Sequence, residues 1–258
     1  MTRMWVALGI APALFALFSA ELRGNQYTAA PALNLQKAFG TRRPWSVVVT
    51  AQSGDRDESP EAPPSQAKIC FVTGAGGAQQ CSYFKDLFHS TLTYEQLQNL
   101  SVACLASRPA NAKGLLLKAV GIYPTGTVNQ MAIWVYSSKE DSFRLVSALQ
   151  ATEERIFTDG ALAGFLVTAN WQWEQGETRF GDDHRRKITA YRYLNDDGVG
   201  AYRQVLEYIT ARKYNPEDSN TIESEIPVIA AKLAQTLLGM NRAGLIDIEV
   251  DRRSVFPR

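Results

Sequence analysis

Histidine is nearly missing from this 258-residue chain. The two present, His89 and His184, lie at ligand spacing from neither each other nor any Cys, which argues against zinc and leaves no metal to expect. Net charge is missing too. Lys and Arg total 27 against 26 Asp and Glu, and this balance argues against nucleic acid as a partner, because phosphate binding draws on clustered cations. The pairs Arg42-Arg43, Arg185-Arg186 and Arg252-Arg253 are scattered and read as solvated. No Gly-x-Ser-x-Gly elbow occurs, and hydroxyls alone do not make a triad. The glycine-rich run 74–77 lacks the third small residue of a dinucleotide fingerprint, since Gln79 stands there and a strand-like run follows. It reads as a hairpin turn, and no cofactor is expected.

Long apolar runs are missing everywhere except at the N terminus. Arg3 precedes an unbroken apolar stretch over 4–18, followed by Ser19-Ala20 and the polar Glu21. A charged tip, a short apolar core and small residues predict a secretory signal peptide over 1–20, although Phe18 occupies a site where a small residue is usual. The run is short for a membrane span, which needs roughly 20 apolar residues. No transmembrane segment is expected in the mature chain, and a periplasmic or secreted location follows.

Cysteine is scarce and odd in number: Cys70, Cys81 and Cys104. Cys70 and Cys81 flank the glycine-rich run symmetrically, so a hairpin there sets them directly opposite each other. Opposed strand positions are close enough for a disulfide, and an oxidising compartment preserves one. Cys104, in an apolar strand-like run with no adjacent basic partner, reads as a small buried hydrophobe.

What the chain does have is short β-branched and aromatic runs broken by Gly, Asn, Asp and Pro. Residues 53–66 are polar and proline-rich and read as a loop between strands. An internal repeat matches 114–119 to 164–169, with Gly, Leu and Ala identical in place. Downstream, Ile133 is aligned with Ala190 and Ser142 with Ala201. Two four-stranded antiparallel meanders of roughly 50 residues follow, with 45–84 as a degenerate earlier copy. Too few units are present to close a propeller. The expected fold is mainly β, a sandwich or incomplete propeller-like stack with a C-terminal packing helix. Residues 21–44 form an N-terminal extension with a short helix over 33–39, 45–214 the β-rich repeat domain, and 215–258 the helix and tail.

In that last segment Ile222, Ile226, Ile229, Leu233 and Leu237 recur at helical spacing. Pro227 suits the first turn and Gly239 the stop. Ile246, Ile248 and Val250 alternate with acids, a pattern for an edge strand or ordered tail.

Two constellations carry candidate chemistry. His184 stands beside Asp182 and Asp183, an acid and a base in reach of each other, in a run that equally suits an exposed loop. Glu174, Glu177, Asp182 and Asp183 offer the paired carboxylates of a glycosidase, with no spacing that fixes their separation. Trp171 and Trp173 project from one face of a strand, and Tyr191 and Tyr193 are expected to join them from a paired strand. Such a platform stacks on sugar rings or apolar surface. Phe165, Val167 and Ala169 share its parity, so the indoles also read as an extension of the core. The functional expectation is a non-enzymatic binding or scaffold protein whose partner is an unknown protein or envelope component. The alternatives are a carbohydrate-binding module using Trp171 and Trp173, and a hydrolase with an Asp-His or paired-carboxylate site.

Overall fold

The computed structural model describes residues 27–29, 33–52, 67–74, 77, 79–89, 94–106, 112–123, 126–177, 179, 181–196 and 199–242. The expected signal peptide, the 53–66 loop and the 246–251 pattern lie outside the described residues.

The first sheet is built on β3 (Trp45–Gln52), β4 (Lys68–Thr73) and β5 (Gln79–Tyr83), with β1 (Tyr27–Ala29) and β2 (Leu33–Asn34) sharing the free edge of β3. Between β2 and β3 lies α1 (Leu35–Phe39), where Asn34 Oδ1 accepts from the backbone N–H groups of Gln36 and Lys37. Gly40 ends that helix at φ 66°, a left-handed conformation natural to glycine. A second short helix, α2 (Phe84–Phe88), follows β5 and buries Phe84, Leu87 and Phe88.

The middle sheet is the meander β6 (Tyr94–Ala106), β7 (Ala112–Tyr123), β8 (Gly126–Ser137) and β9 (Ser142–Ala151). The last sheet is the meander β10 (Glu153–Ile156), β11 (Phe165–Gln172), β12 (Arg185–Asp196) and β13 (Val199–Ile209), followed by α3 (Thr221–Arg242). The fold is therefore mainly β, with repeated four-stranded antiparallel sheets and one C-terminal packing helix, as the sequence indicates. The earlier copy in 45–84 is a three-strand meander, and its extra pairing comes from β1 and β2, upstream of it.

The sheets stack in chain order. Val47, Ile69 and Phe71 of the first sheet meet Leu115, Leu117, Trp134 and Phe143 of the middle sheet in one buried core. On the other face of the middle sheet, Leu116, Met131 and Ile133 meet Leu166 of the last sheet. Phe165, Val167, Ala169, Ile188 and Ala190 on the far side of the last sheet meet Ile222, Ile229 and Leu233 of α3. Each fully buried aliphatic or aromatic side chain in these cores contributes about 1.5–3 kcal/mol of transfer free energy.

The repeat is real, but its faces settle the packing mode. Leu116 and Leu166, the matched leucines, lie in the same core and face each other. Their neighbours Leu115 and Phe165 point outward in opposite directions, one to the first sheet and one to α3. Successive propeller blades present unlike faces to each other, so these two units are packed as a sandwich.

The alignment of the later strands shifts by one residue. Leu116 pairs with Ile133 and Leu166 pairs with Tyr191, so Ile133 is equivalent to Tyr191, where residue similarity had matched it to Ala190. Leu145 pairs with Trp134 and Arg203 with Arg192, which makes Ser142 equivalent to Gly200 instead of Ala201. Hydrogen-bonded pairing, and not residue likeness, fixes which face a strand residue takes.

Cys70 pairs directly with Cys81 across β4 and β5, and the two form a disulfide with Cα atoms 4.1 Å apart. Cys104 stays outside it and is half-buried, less enclosed than its apolar run suggests. The stripe Ile222, Ile226, Ile229, Leu233 and Leu237 lies on the last sheet as expected. The helix limits differ. Both Glu153 carboxylate oxygens accept from the first N–H groups of α3, Thr221 at 2.9 Å and Ile222 at 3.1 Å. This cap starts the helix before Pro227, which sits inside it, and α3 runs past Gly239 to Arg242.

Candidate functional site

The face of the last sheet that carries α3 continues past the start of the helix. Pairing of Trp171 with Arg186 puts both on that face, in line with Val167, Ala169, Ile188 and Ala190. The same pairing sends Tyr191 and Tyr193 to the opposite face, where they pack towards the middle sheet. Odd positions of β11 oppose even positions of β12, so the expected four-residue aromatic platform does not form. Tyr193 instead packs edge-on to Tyr202, ring centroids 5.5 Å apart, and its hydroxyl lies against Gly200, where any side chain would clash. Burial raises the pKa of both Tyr191 and Tyr193.

On the helix side, four side chains alternate as a ladder. The Arg186 guanidinium stacks 3.2 Å from the centre of the Trp171 ring. Trp171 meets His184 edge-on at 5.4 Å between centroids, and His184 meets Trp173 at 4.5 Å. Arg186 and His184 are buried, at 1 % and 0 % exposed, Trp171 is half-buried, and Trp173 at the end is 39 % exposed. Cation–π contacts of this kind gain strength with desolvation, up to about 2 kcal/mol. Arg186 also donates through Nη2 to the Asn215 carbonyl at 3.3 Å. Burial lowers its pKa, and the nearby charges of Glu153 and Asp218 oppose that shift.

His184 is held from three sides. Its backbone forms a two-way bridge with Tyr214, at 3.0 and 2.8 Å. Its Nδ1 lies 2.8 Å from Glu177 Oε2 and its Nε2 lies 3.0 Å from the Arg179 carbonyl. Both ring nitrogens therefore lie at hydrogen-bond distance from groups of the fold, and neither is turned to a ligand. Asp182 and Asp183, the expected partners, are exposed, and the ring turns away from them to Glu177.

Glu177 is the hub of this end. It accepts from Lys213 Nζ at 2.6 Å, from the Glu174 N–H at 2.8 Å and from His184. Those bonds, the Lys213 one foremost, lower its pKa from 4.5 to about 2. The turn from Glu174 to Glu177 closes through Gly176 at φ 92°, a conformation other residues rarely adopt. Glu174 in turn pairs with Arg185 at 2.9 Å and Lys213 at 3.2 Å. Two carboxylates do converge, then, but on a lysine that holds Glu177 well below the usual carboxylate range. A glycosidase acid requires the reverse, a raised carboxyl pKa.

Behind the ladder, Glu225 of α3 accepts from Tyr208 at 2.8 Å and from Tyr214. The Tyr214 hydroxyl is pushed up to about 12, by burial first and then by Glu225. Glu174 and Glu177 are candidates from the sequence and do meet here, whereas Lys213, Arg186 and Glu225 are not, because each reaches the site from a different segment. The parity of Arg186 with Ile188 and Ala190 was the one readable signal. Among the described residues, no group of three or more His, Cys, Asp or Glu is placed to hold a metal ion, and no helix is long and apolar enough to cross a membrane. No protein-family model, no curated protein and no solved structure matches the chain.

Proposed function

We propose that this chain is an exported, non-enzymatic binding protein that presents the Trp173 end of its last sheet to a carbohydrate of the cell envelope. The observation that carries this reading is Trp173, 39 % exposed yet seated on a His184 ring fixed at both nitrogens. An indole held this way presents apolar area with little rotamer entropy left to lose, which suits stacking on a sugar ring. Lys213, Arg185 and Glu174, each about two-fifths exposed at the side chain, stand beside it to meet hydroxyl groups. Trp171 has a different role: stacked between Arg186 and His184, it positions the ladder. The disulfide supports an oxidising, extracytoplasmic location. The hydrolase alternative is weaker, since His184 has no free nitrogen and Glu177 stays ionised at neutral pH.

The test is co-sedimentation with isolated cell-wall polysaccharide. Trp173→Ala is expected to cut the bound fraction about tenfold, the scale of one lost aromatic stack, with the melting temperature nearly unchanged. Undiminished binding by the variant, or a large thermal loss, overturns the assignment.

A further inference from the structure

A separate feature lies between α1 and the middle sheet. A depression of 470 Å³ is lined by Lys37, Phe39 and Gly40 on one side and Ala112, Lys113 and Tyr136 on the other. Lys113 Nζ is drawn over the end of α1, where it donates to the Ala38 carbonyl at 3.4 Å. Arg42 stands at the rim, its backbone N–H donating to Tyr136 Oη at 3.1 Å.

The acids of this neighbourhood are already engaged. Asp141 is held by Arg43 at 2.5 Å and by the Tyr136 hydroxyl at 2.6 Å, and Glu140 by Arg144 at 3.2 Å. Among the described residues, Lys37, Arg42 and Lys113 have no carboxylate partner. The Arg42-Arg43 pair thus divides: Arg43 is consumed within the fold, and Arg42 adds to a local positive excess on a chain balanced overall.

We propose that this depression seats the phosphate of a lipid headgroup, and that the chain docks here on an anionic membrane surface. Lys37 from α1 and Lys113 from β7 line one depression that opens to solvent, and two cations at one open depression suit the exposed phosphate of a headgroup. A nucleic acid or other polyanion needs a track of cations, and single strands also need aromatic platforms, whereas Tyr136 is half-buried with its hydroxyl engaged.

The test is sedimentation of the full chain, at low salt, with vesicles of phosphatidylcholine alone or mixed with phosphatidylglycerol. Selective binding to the anionic vesicles is expected. Lys37→Gln with Lys113→Gln is expected to weaken it about 30-fold, the effect of two cations near a charged surface. Lys85→Gln with Lys187→Gln, an equal charge loss at exposed sites elsewhere, is expected to leave binding within about twofold. No preference of the unaltered chain for anionic vesicles overturns the proposal. So does an equal loss in both double variants, which reports net charge alone. Calorimetric binding of inorganic phosphate without vesicle binding also overturns it, because the ligand is then a free anion.

Discussion

The middle and last sheets are built on the same strand plan, yet they are finished differently. The middle sheet is covered on both faces by other sheets, and its outward position Trp134 is 1 % exposed. Its equivalent in the last sheet is Arg192, half-buried beside Phe165. The last sheet has α3 on its outer face, and α3 begins only at Thr221, capped by Glu153. Beyond that cap the face emerges as the Arg186, Trp171, His184 and Trp173 ladder. A helix that covers part of a sheet face leaves a remainder, and that remainder is where this chain concentrates its polar chemistry.

The comparison breaks most readily at Trp134. Trp134→Ala is expected to cost about 3–5 kcal/mol, as for a fully buried aromatic, while Arg192→Ala costs under about 1 kcal/mol. Denaturant unfolding measures both, and similar losses refute the claim that the equivalent positions are finished differently. A smaller effect tests what the two sheets share. Ala119 and Ala169 are matched and both are 0 % exposed, one beneath the first sheet and one beneath α3. Leucine at either is expected to overpack its layer by about 1–3 kcal/mol. A cost at one site and none at the other refutes the equivalence.

The smallest effect is acid sensitivity. Asp141, beside the first and middle sheets, is lowered to about 2, chiefly by the Tyr136 hydroxyl and then by Arg43 and Trp45. Glu177 in the last sheet is lowered to about 2, chiefly by Lys213. A carboxyl whose folded pKa lies below its unfolded value contributes stability that is present above the unfolded value and lost as pH falls through the folded one. The window runs from 4.5 for Glu177 and from 3.8 for Asp141, in both cases down to about 2. Asp141→Asn and Glu177→Gln are each expected to flatten the melting temperature across that window. Glu177→Gln is expected to remove the pH response of Trp173 fluorescence, because Glu177 fixes the His184 ring against Trp173, and Asp141→Asn that of Trp45, whose Nε1 donates to Asp141. Loss of both responses in either single variant refutes the separation of the two networks.

Much of this architecture is legible in the chain. The helical period from Ile222 to Leu237 marks α3, and the symmetry of Cys70 and Cys81 about a glycine-rich run marks their pairing. Both are local patterns. The slip at Ile133 arose because likeness of side chains carries no information about register, and a slip of one residue exchanges the two faces. The same blindness joined Tyr191 and Tyr193 to the tryptophans, although Trp171 pairs with Arg186. The site was less legible still. His184 takes its partners from Glu177 and Arg179 on one loop, while Lys213, which fixes Glu177, arrives after β13. Only the folded arrangement of loops selects Glu177 over the adjacent Asp182 and Asp183.

The meeting of Leu116 with Leu166 carries a consequence for growth of the stack. Contact of like face with like face uses up that face in both units, as in an isologous pair, whereas blade-on-blade stacking leaves an unlike face free for repetition. No third copy can be added through the shared face. The two outward faces each had to be terminated separately. One is terminated by a sheet and the other by a helix, so a shared inner face ends in two unlike surfaces.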